Sequence, residues 1–193
     1  DRIAIMGGSY GGYATLAALT MTPEAFACGV DLVGPSNLIT FLESVPPYWE
    51  PVTGLFRIRI GDNTTEEGRA FLEDRSPINH AENVTRPLLI GQGANDPRVR
   101  QNESEQIVSS LEKRGTPVTY LVFPDEGHGF ARPENNMAFF AVAEAFLAQH
   151  LGGEFEPIGS DLQRSSITVP VGAKEVPGLQ EALEARDETS AGP

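Results

Sequence analysis

Few features constrain a fold as tightly as a serine set among glycines between an apolar run and a helix-like run. This chain carries one at Gly7-Gly8-Ser9-Tyr10-Gly11-Gly12. Ile3-Ala4-Ile5-Met6 directly precedes it and reads as a strand, and Tyr13 to Met21 follows and reads as a helix stopped before Pro23. A nucleophilic serine at such a strand-to-helix corner sits in a strained backbone conformation with its hydroxyl projecting. Its neighbours two residues away must then lack bulk, and glycine also reaches φ values closed to other residues. Two other readings compete. One is a glycine-rich turn with an incidental serine. The other is a phosphate-binding loop, but Ser9 stands where the dinucleotide fingerprint needs its second glycine, and the Lys-Ser/Thr pair of a P-loop is missing.

The rest of the chain supplies the sheet that this corner needs. Cys28 to Val33 is largely apolar, interrupted by Asp31, and is broken by Gly34-Pro35-Ser36-Asn37. Residues 37 to 60 predict short helices around the turn Pro46-Pro47-Tyr48-Trp49. Thr64 or Thr65 caps a helix over Glu66 to Asp74. Leu88-Leu89-Ile90 is a buried strand followed by the loop Gly91 to Pro97. The helix from Asn102 to Arg114 carries Ile107, Val108 and Leu111 on one side and closes at Gly115. Val118 to Phe123 reads as the last strand, ending in the loop Pro124 to Phe130. Pro133 opens the final helix, with Met137, Phe140, Ala143 and Leu147 as its apolar face and Gly152-Gly153 as its end. Strands alternating with helices define an α/β protein with a doubly wound, mostly parallel sheet. That domain spans residues 1–153. From Glu154 onward the periodicity fades, so residues 154–193 are expected as an extended tail clasping the domain, with a short helix at Leu179 to Ala185 and frayed last residues.

Charge narrows the function. A net charge of −13 on 193 residues argues against nucleic acid or an anionic membrane as partner, since both call for basic patches. No stretch is long and apolar enough to span a membrane. The single cysteine, Cys28, lies in an apolar run and reads as a small core residue, and it leaves the compartment open. Residue 1 is Asp and the chain enters the serine strand almost at once. A sheet of this kind needs earlier strands, so the chain is expected to be the C-terminal part of a longer protein.

A serine hydroxyl needs a base to take its proton, and the base needs an acid to fix its tautomer. Of three histidines, His150 lies near the end of the last helix and His80 before a strand on the edge away from Ser9. His128 follows the Val118 to Phe123 strand between Gly127 and Gly129, which leave room for a substrate, and is the candidate base. Reactive groups gather at the carboxyl ends of parallel strands. That places the acid at Asp96, after the strand ending at Ile90, in the chain order Ser…Asp…His. Asp125 is the second candidate but is close to His128 along the chain, while Asp31 lies within a strand and Asp62 in an unrelated loop. The backbone N–H of Tyr10, next after Ser9, is the candidate oxyanion donor. The second donor belongs to an earlier loop of this fold, outside the chain.

With Ser9, Asp96 and His128 in place, the chain resembles the prolyl oligopeptidase family of serine peptidases, in its acylaminoacyl-peptidase-like and dipeptidyl-aminopeptidase-like branch. The likeness rests on Gly7-Gly8-Ser9-Tyr10-Gly11-Gly12-Tyr13, Val33-Gly34-Pro35-Ser36-Asn37, Ser76-Pro77-Ile78, Arg86-Pro87-Leu88-Leu89, Gly93-Ala94-Asn95-Asp96-Pro97-Arg98-Val99 and Glu126-Gly127-His128-Gly129-Phe130. It implies an α/β-hydrolase catalytic domain preceded by a β-propeller that screens substrates by size. It also implies hydrolysis of short peptides through an acyl-enzyme, without metal or organic cofactor. Val33, Tyr13, Trp49 and Val99 are candidates either for the wall of a side-chain pocket or for plain core. A carboxylesterase-type hydrolase shares the same three residues, and an inactive hydrolase fragment acting as an interaction module is the reading from outside enzymology.

Overall fold

The computed structural model describes residues 2–45 and 47–190. Asp1, Pro46 of the proline turn and the terminal residues 191–193 lie outside the described part. Five strands form one sheet: Ala4–Gly8 (β1), Cys28–Leu32 (β2), Leu88–Gly93 (β3), Val118–Phe123 (β4) and Thr168–Val171 (β5), in the spatial order β1-β2-β3-β4-β5. β1 to β4 run parallel and β5 is antiparallel to β4. The helices are Tyr10–Met21 (α1), Leu38–Glu43 (α2), Glu50–Arg59 (α3), Glu66–Arg75 (α4), Gln101–Arg114 (α5), Pro133–Leu151 (α6) and Leu179–Ser190 (α7).

The pleat of the central strands sorts their side chains into two cores. Leu88, Ile90, Val118, Tyr120 and Val122 face α1 and α5, where Leu16, Leu19, Ile107, Val108 and Leu111 meet them. Leu89, Leu121 and Phe123 face the other way, onto Phe139, Val142 and Phe146 of α6. Strands buried on both faces read as apolar runs, which is why β3 and β4 are visible in the sequence. The Thr65 hydroxyl accepts a 3.0 Å bond from Gly68 N and caps α4, and Gly115 ends α5 in a left-handed conformation.

Three expectations are corrected. Helix α1 begins at Tyr10, immediately after the serine, rather than at Tyr13. The buried face of α6 is Ala138, Phe139, Val142, Ala143, Ala145 and Phe146, with Leu147 partly buried against it; of the expected face Ala143 and Leu147 belong to it, whereas Met137 and Phe140 are 58% and 50% exposed. Apolar residues surround so much of this helix that spacing alone fits more than one face. Finally, residues 154–190 are not simply an extended tail: they add β5, and the helix expected from Leu179 runs on past Ala185 to Ser190 as α7. Ile158, Leu162, Ile167, Val176 and Leu179 are buried in the same core as α6.

At the opposite edge, no strand among the described residues pairs with the outer side of β1. Ile3 and Met6 are exposed there, and Met6, Phe140, Leu147 and Leu151 line a groove beside it.

Candidate active site

The carboxyl ends of β1, β3 and β4 bring three loops together. Ser9 caps α1 with φ 58° and ψ −115°, a conformation that costs a non-glycine residue about 1–3 kcal/mol. It is held there from both sides: Ser9 N donates to Leu32 O at 2.8 Å, and Tyr13 N donates to Ser9 O at 3.0 Å. The glycines divide the steric work unequally. A Cβ on Gly7 would lie 2.4 Å from the Gly11 carbonyl, and one on Gly12 would lie 2.2 Å from Asp31 Oδ1. Gly11 has open space instead, so the tight contacts fall on Gly7 and Gly12 rather than symmetrically about the serine.

The three residues singled out from the sequence meet here. His128 Nδ1 lies 2.7 Å from Asp96 Oδ2, and His128 Nε2 lies 2.8 Å from Ser9 Oγ. The Asp96 side chain is fully buried and that of His128 is 13% exposed. Asp96 Oδ1 accepts from the backbone N–H groups of Arg98 and Val99 at 2.8 and 2.9 Å, which leaves Oδ2 aimed at the imidazole. Tyr10 is the first residue of α1, so its N–H has no acceptor within the helix and points out of the helix N-terminus.

The other candidates stand elsewhere. Asp125 is engaged by Ser166, Arg132 and Asn135, and the Ser166 hydroxyl above all holds its carboxyl below the usual range. Asp62 bonds the hydroxyl and N–H of Thr64 in the turn before α4. His80 makes a 2.7 Å bond with Asp74 O, and His150 packs edge-on against Phe146. Cys28 is buried, and burial pushes its thiol up to about 11.

Ser9 and His128 open onto a cavity of about 420 Å³ whose walls include Tyr13, Leu38, Phe41, Trp49, Phe56 and Val99. The guanidinium of Arg98 sits 5.4 Å from the Trp49 ring centroid, at the same cavity. Of the four candidate wall residues, Tyr13, Trp49 and Val99 line it, while Val33 is core. Val33 is nonetheless unusual, because a buried β-branched residue at φ +50° is an outlier. Its N–H donates to Gly91 O at 2.9 Å, and Gly34 N donates to Asp31 Oδ1 at 2.9 Å, so the turn that leads to α2 is pinned at both ends.

Two buried carboxylates flank this turn: Asp31, which the sequence reading set aside as a strand residue, and Glu103, which it did not single out. Asp31 is wholly buried, and burial raises its carboxyl to about 7 against one opposing bond from Gly34. Glu103 of α5 is also buried and raised by desolvation. It accepts from Ser36 N, Asn37 N and the Thr40 hydroxyl, and thereby clamps the start of α2. Glu103 sits in an ordinary charged stretch, Asn102 to Gln106, and only the fold reveals that it faces inward. Among the described residues, no group of three His, Cys, Asp or Glu side chains is placed to hold a metal ion.

A parallel sheet with a strained serine at the β1–α1 corner, facing a histidine and an aspartate from later loops, defines an α/β-hydrolase. The comparisons narrow the class. The profile of the prolyl oligopeptidase family matches residues 1–154. Dipeptidyl aminopeptidase BIII of Pseudoxanthomonas mexicana is 64% identical over 95% of this chain, and dipeptidyl peptidase family member 6 of Caenorhabditis elegans is 53% identical over 88% of it. The solved structure of a Mycobacterium tuberculosis puromycin-hydrolyzing peptidase superposes with a TM-score of 0.71 at 36% identity, covering 79% of this chain and 22% of that one. The chain belongs to the prolyl oligopeptidase family. It spans 27% and 23% of the two curated relatives, roughly a quarter of their length.

Proposed function

We propose that this chain carries the catalytic machinery of a serine peptidase that cleaves short peptides through an acyl-enzyme. The continuous hydrogen-bonded line from Asp96 through His128 to Ser9, opening on an apolar cavity, is the observation that carries the reading. In it, Ser9 Oγ attacks the scissile carbonyl while His128 Nε2 accepts the hydroxyl proton. His128 then passes that proton to the departing amine, and a water deprotonated by the same nitrogen releases the acyl group. Asp96 holds the Nδ1–H tautomer and stabilises the imidazolium. The N–H of Tyr10 donates to the developing oxyanion. The aromatic and aliphatic walls suit an apolar side chain on the residue before the scissile bond.

The names of the relatives support a finer reading, release of dipeptides from free amino termini. The family resemblance adds to this reading an upstream β-propeller that screens substrates by size. Labelling of the full-length protein by a fluorophosphonate should be lost in Ser9→Ala. Dipeptidyl amides with an apolar second residue should be turned over. Turnover of simple esters with none of peptide amides would refute the peptidase reading in favour of an esterase, and an unlabelled folded protein would refute both.

A further inference from the structure

His128 stands in a loop flanked by Gly127 and Gly129, the latter at φ +92°, so its backbone has little intrinsic stiffness. Something must fix it, because Nε2 has to stay within hydrogen-bonding reach of Ser9. The Glu126 side chain closes this loop. Only 3% exposed, its Oε2 accepts from Ala131 N at 2.9 Å, and its Oε1 accepts from Arg132 N at 2.9 Å. The carboxylate therefore ties residue 126 to residues 131 and 132, with His128 at the tip between them. The Glu126 backbone is tied as well: its N–H donates to Phe123 O at 3.1 Å, and its carbonyl accepts from Asn95 N at 2.9 Å. Asn95 immediately precedes Asp96, so the base loop and the acid loop share this anchor.

The carboxylate is itself held. Asn135, wholly buried in the first turn of α6, donates through Nδ2 to Glu126 Oε1 at 2.8 Å and to Asp125 Oδ1 at 3.0 Å. Its Oδ1 accepts from Ser166 N at 2.8 Å. A backbone N–H on one side and carboxylates on the other leave one orientation for the amide. Ser166 lies in the stretch after residue 154, where the family profile stops, and buried Leu162 and Ile167 fasten that stretch to the core.

We propose that Glu126 and Asn135 are positioning residues for His128, forming a buried brace whose orientation is fixed by the C-terminal segment through Ser166. Neither touches the reacting atoms. Their effect is on how often Nε2 is aligned with the serine hydroxyl, and a misplacement of about 1 Å can cost about a hundredfold in rate. The proposal rests on the reading of Ser9, His128 and Asp96 given above.

The test uses the full-length protein. Active sites are titrated with a fluorophosphonate, and turnover of a dipeptidyl amide is expressed per titrated site. Glu126→Gln keeps the shape but turns one acceptor into a donor facing N–H groups. Asn135→Asp keeps the acceptor for Ser166 N but sets a second carboxylate against Glu126. Each is expected to lower turnover per titrated site by about 10- to 100-fold with KM unchanged, because neither lines the cavity. Leu111→Ala, a buried truncation in α5, serves as a control: it should lower stability and the number of titratable sites but not turnover per site. If Glu126→Gln does not fold, Asn135→Asp carries the comparison. Wild-type turnover per site in the folded variants, or a loss confined to the number of sites as in Leu111→Ala, would overturn the brace while leaving the peptidase reading intact. Absence of Ser9-dependent labelling in the unmodified protein would instead overturn that reading and the brace with it.

Discussion

Asp31 gives the protein a stability term that should decline as pH rises. Its side chain is wholly buried at the end of β2, Oδ1 accepts only from Gly34 N, and Oδ2 has no hydrogen-bond partner among the described residues. Burial lifts the carboxyl from an ordinary 3.8 to about 7, so the folded state holds a proton that the unfolded chain has already released. The unfolding free energy then falls with pH between those two values and levels off above the upper one. The whole difference, about three pKa units at 1.36 kcal/mol each, is about 4 kcal/mol. Between pH 5 and pH 8 the linkage relation leaves about 2–3 kcal/mol of it.

Asp31→Asn keeps the shape and the bond from Gly34 N but cannot ionise. Urea unfolding of both proteins across that pH range isolates the term, since every other titrating group is common to both. Asp31→Asn should gain on the wild type by about 2–3 kcal/mol from pH 5 to pH 8. Parallel profiles would refute the argument, and a wild type that gains on the variant would mean that a cation reaches the carboxylate.

Two further outcomes are expected. In Asp96→Asn the side-chain oxygen should stay on the N–H groups of Arg98 and Val99, which turns the amide NH₂ toward His128 Nδ1 and enforces the wrong tautomer; turnover should fall about 10⁴-fold, and a loss below tenfold in a steady-state assay would remove Asp96 as the orienting acid. Leu162→Ala should cost about 2–5 kcal/mol in denaturant unfolding, because Leu162 is fully buried beside α6; a change near zero would mean that residues 155–190 do not fold with the sheet.

Legibility in the sequence tracked the range of the physical cause. The corner at Ser9, the caps at Thr65 and Gly115 and the apolar runs of β3 and β4 depend on neighbouring residues, and their signals are local. Asp96 and His128 were legible for a different reason: strand order places both loops at the same end of the sheet, and that order is written in the alternation of elements. What failed depends on partners far along the chain. β5 is four residues long and contains Pro170, so nothing in Thr168 to Val171 announces a strand until β4 offers its edge. Glu103 looks like an ordinary surface charge and Asp31 like a mere interruption of an apolar strand, yet the start of α2 buries the first and the close approach of Gly12 and Gly34 encloses the second. Glu126 and Asn135 needed the fold for the same reason, since the backbone groups and Ser166 that satisfy them converge only once α6 has packed.

The two edges of the sheet have opposite dispositions toward other chains. On one side, β5 is short and carries an exposed proline with no N–H to offer, a combination that discourages a further strand from adding. On the other, β1 presents five residues with no pairing partner among the described ones, beside a groove of Met6, Phe140, Leu147 and Leu151. An added strand therefore finds a template along β1 and next to none along β5.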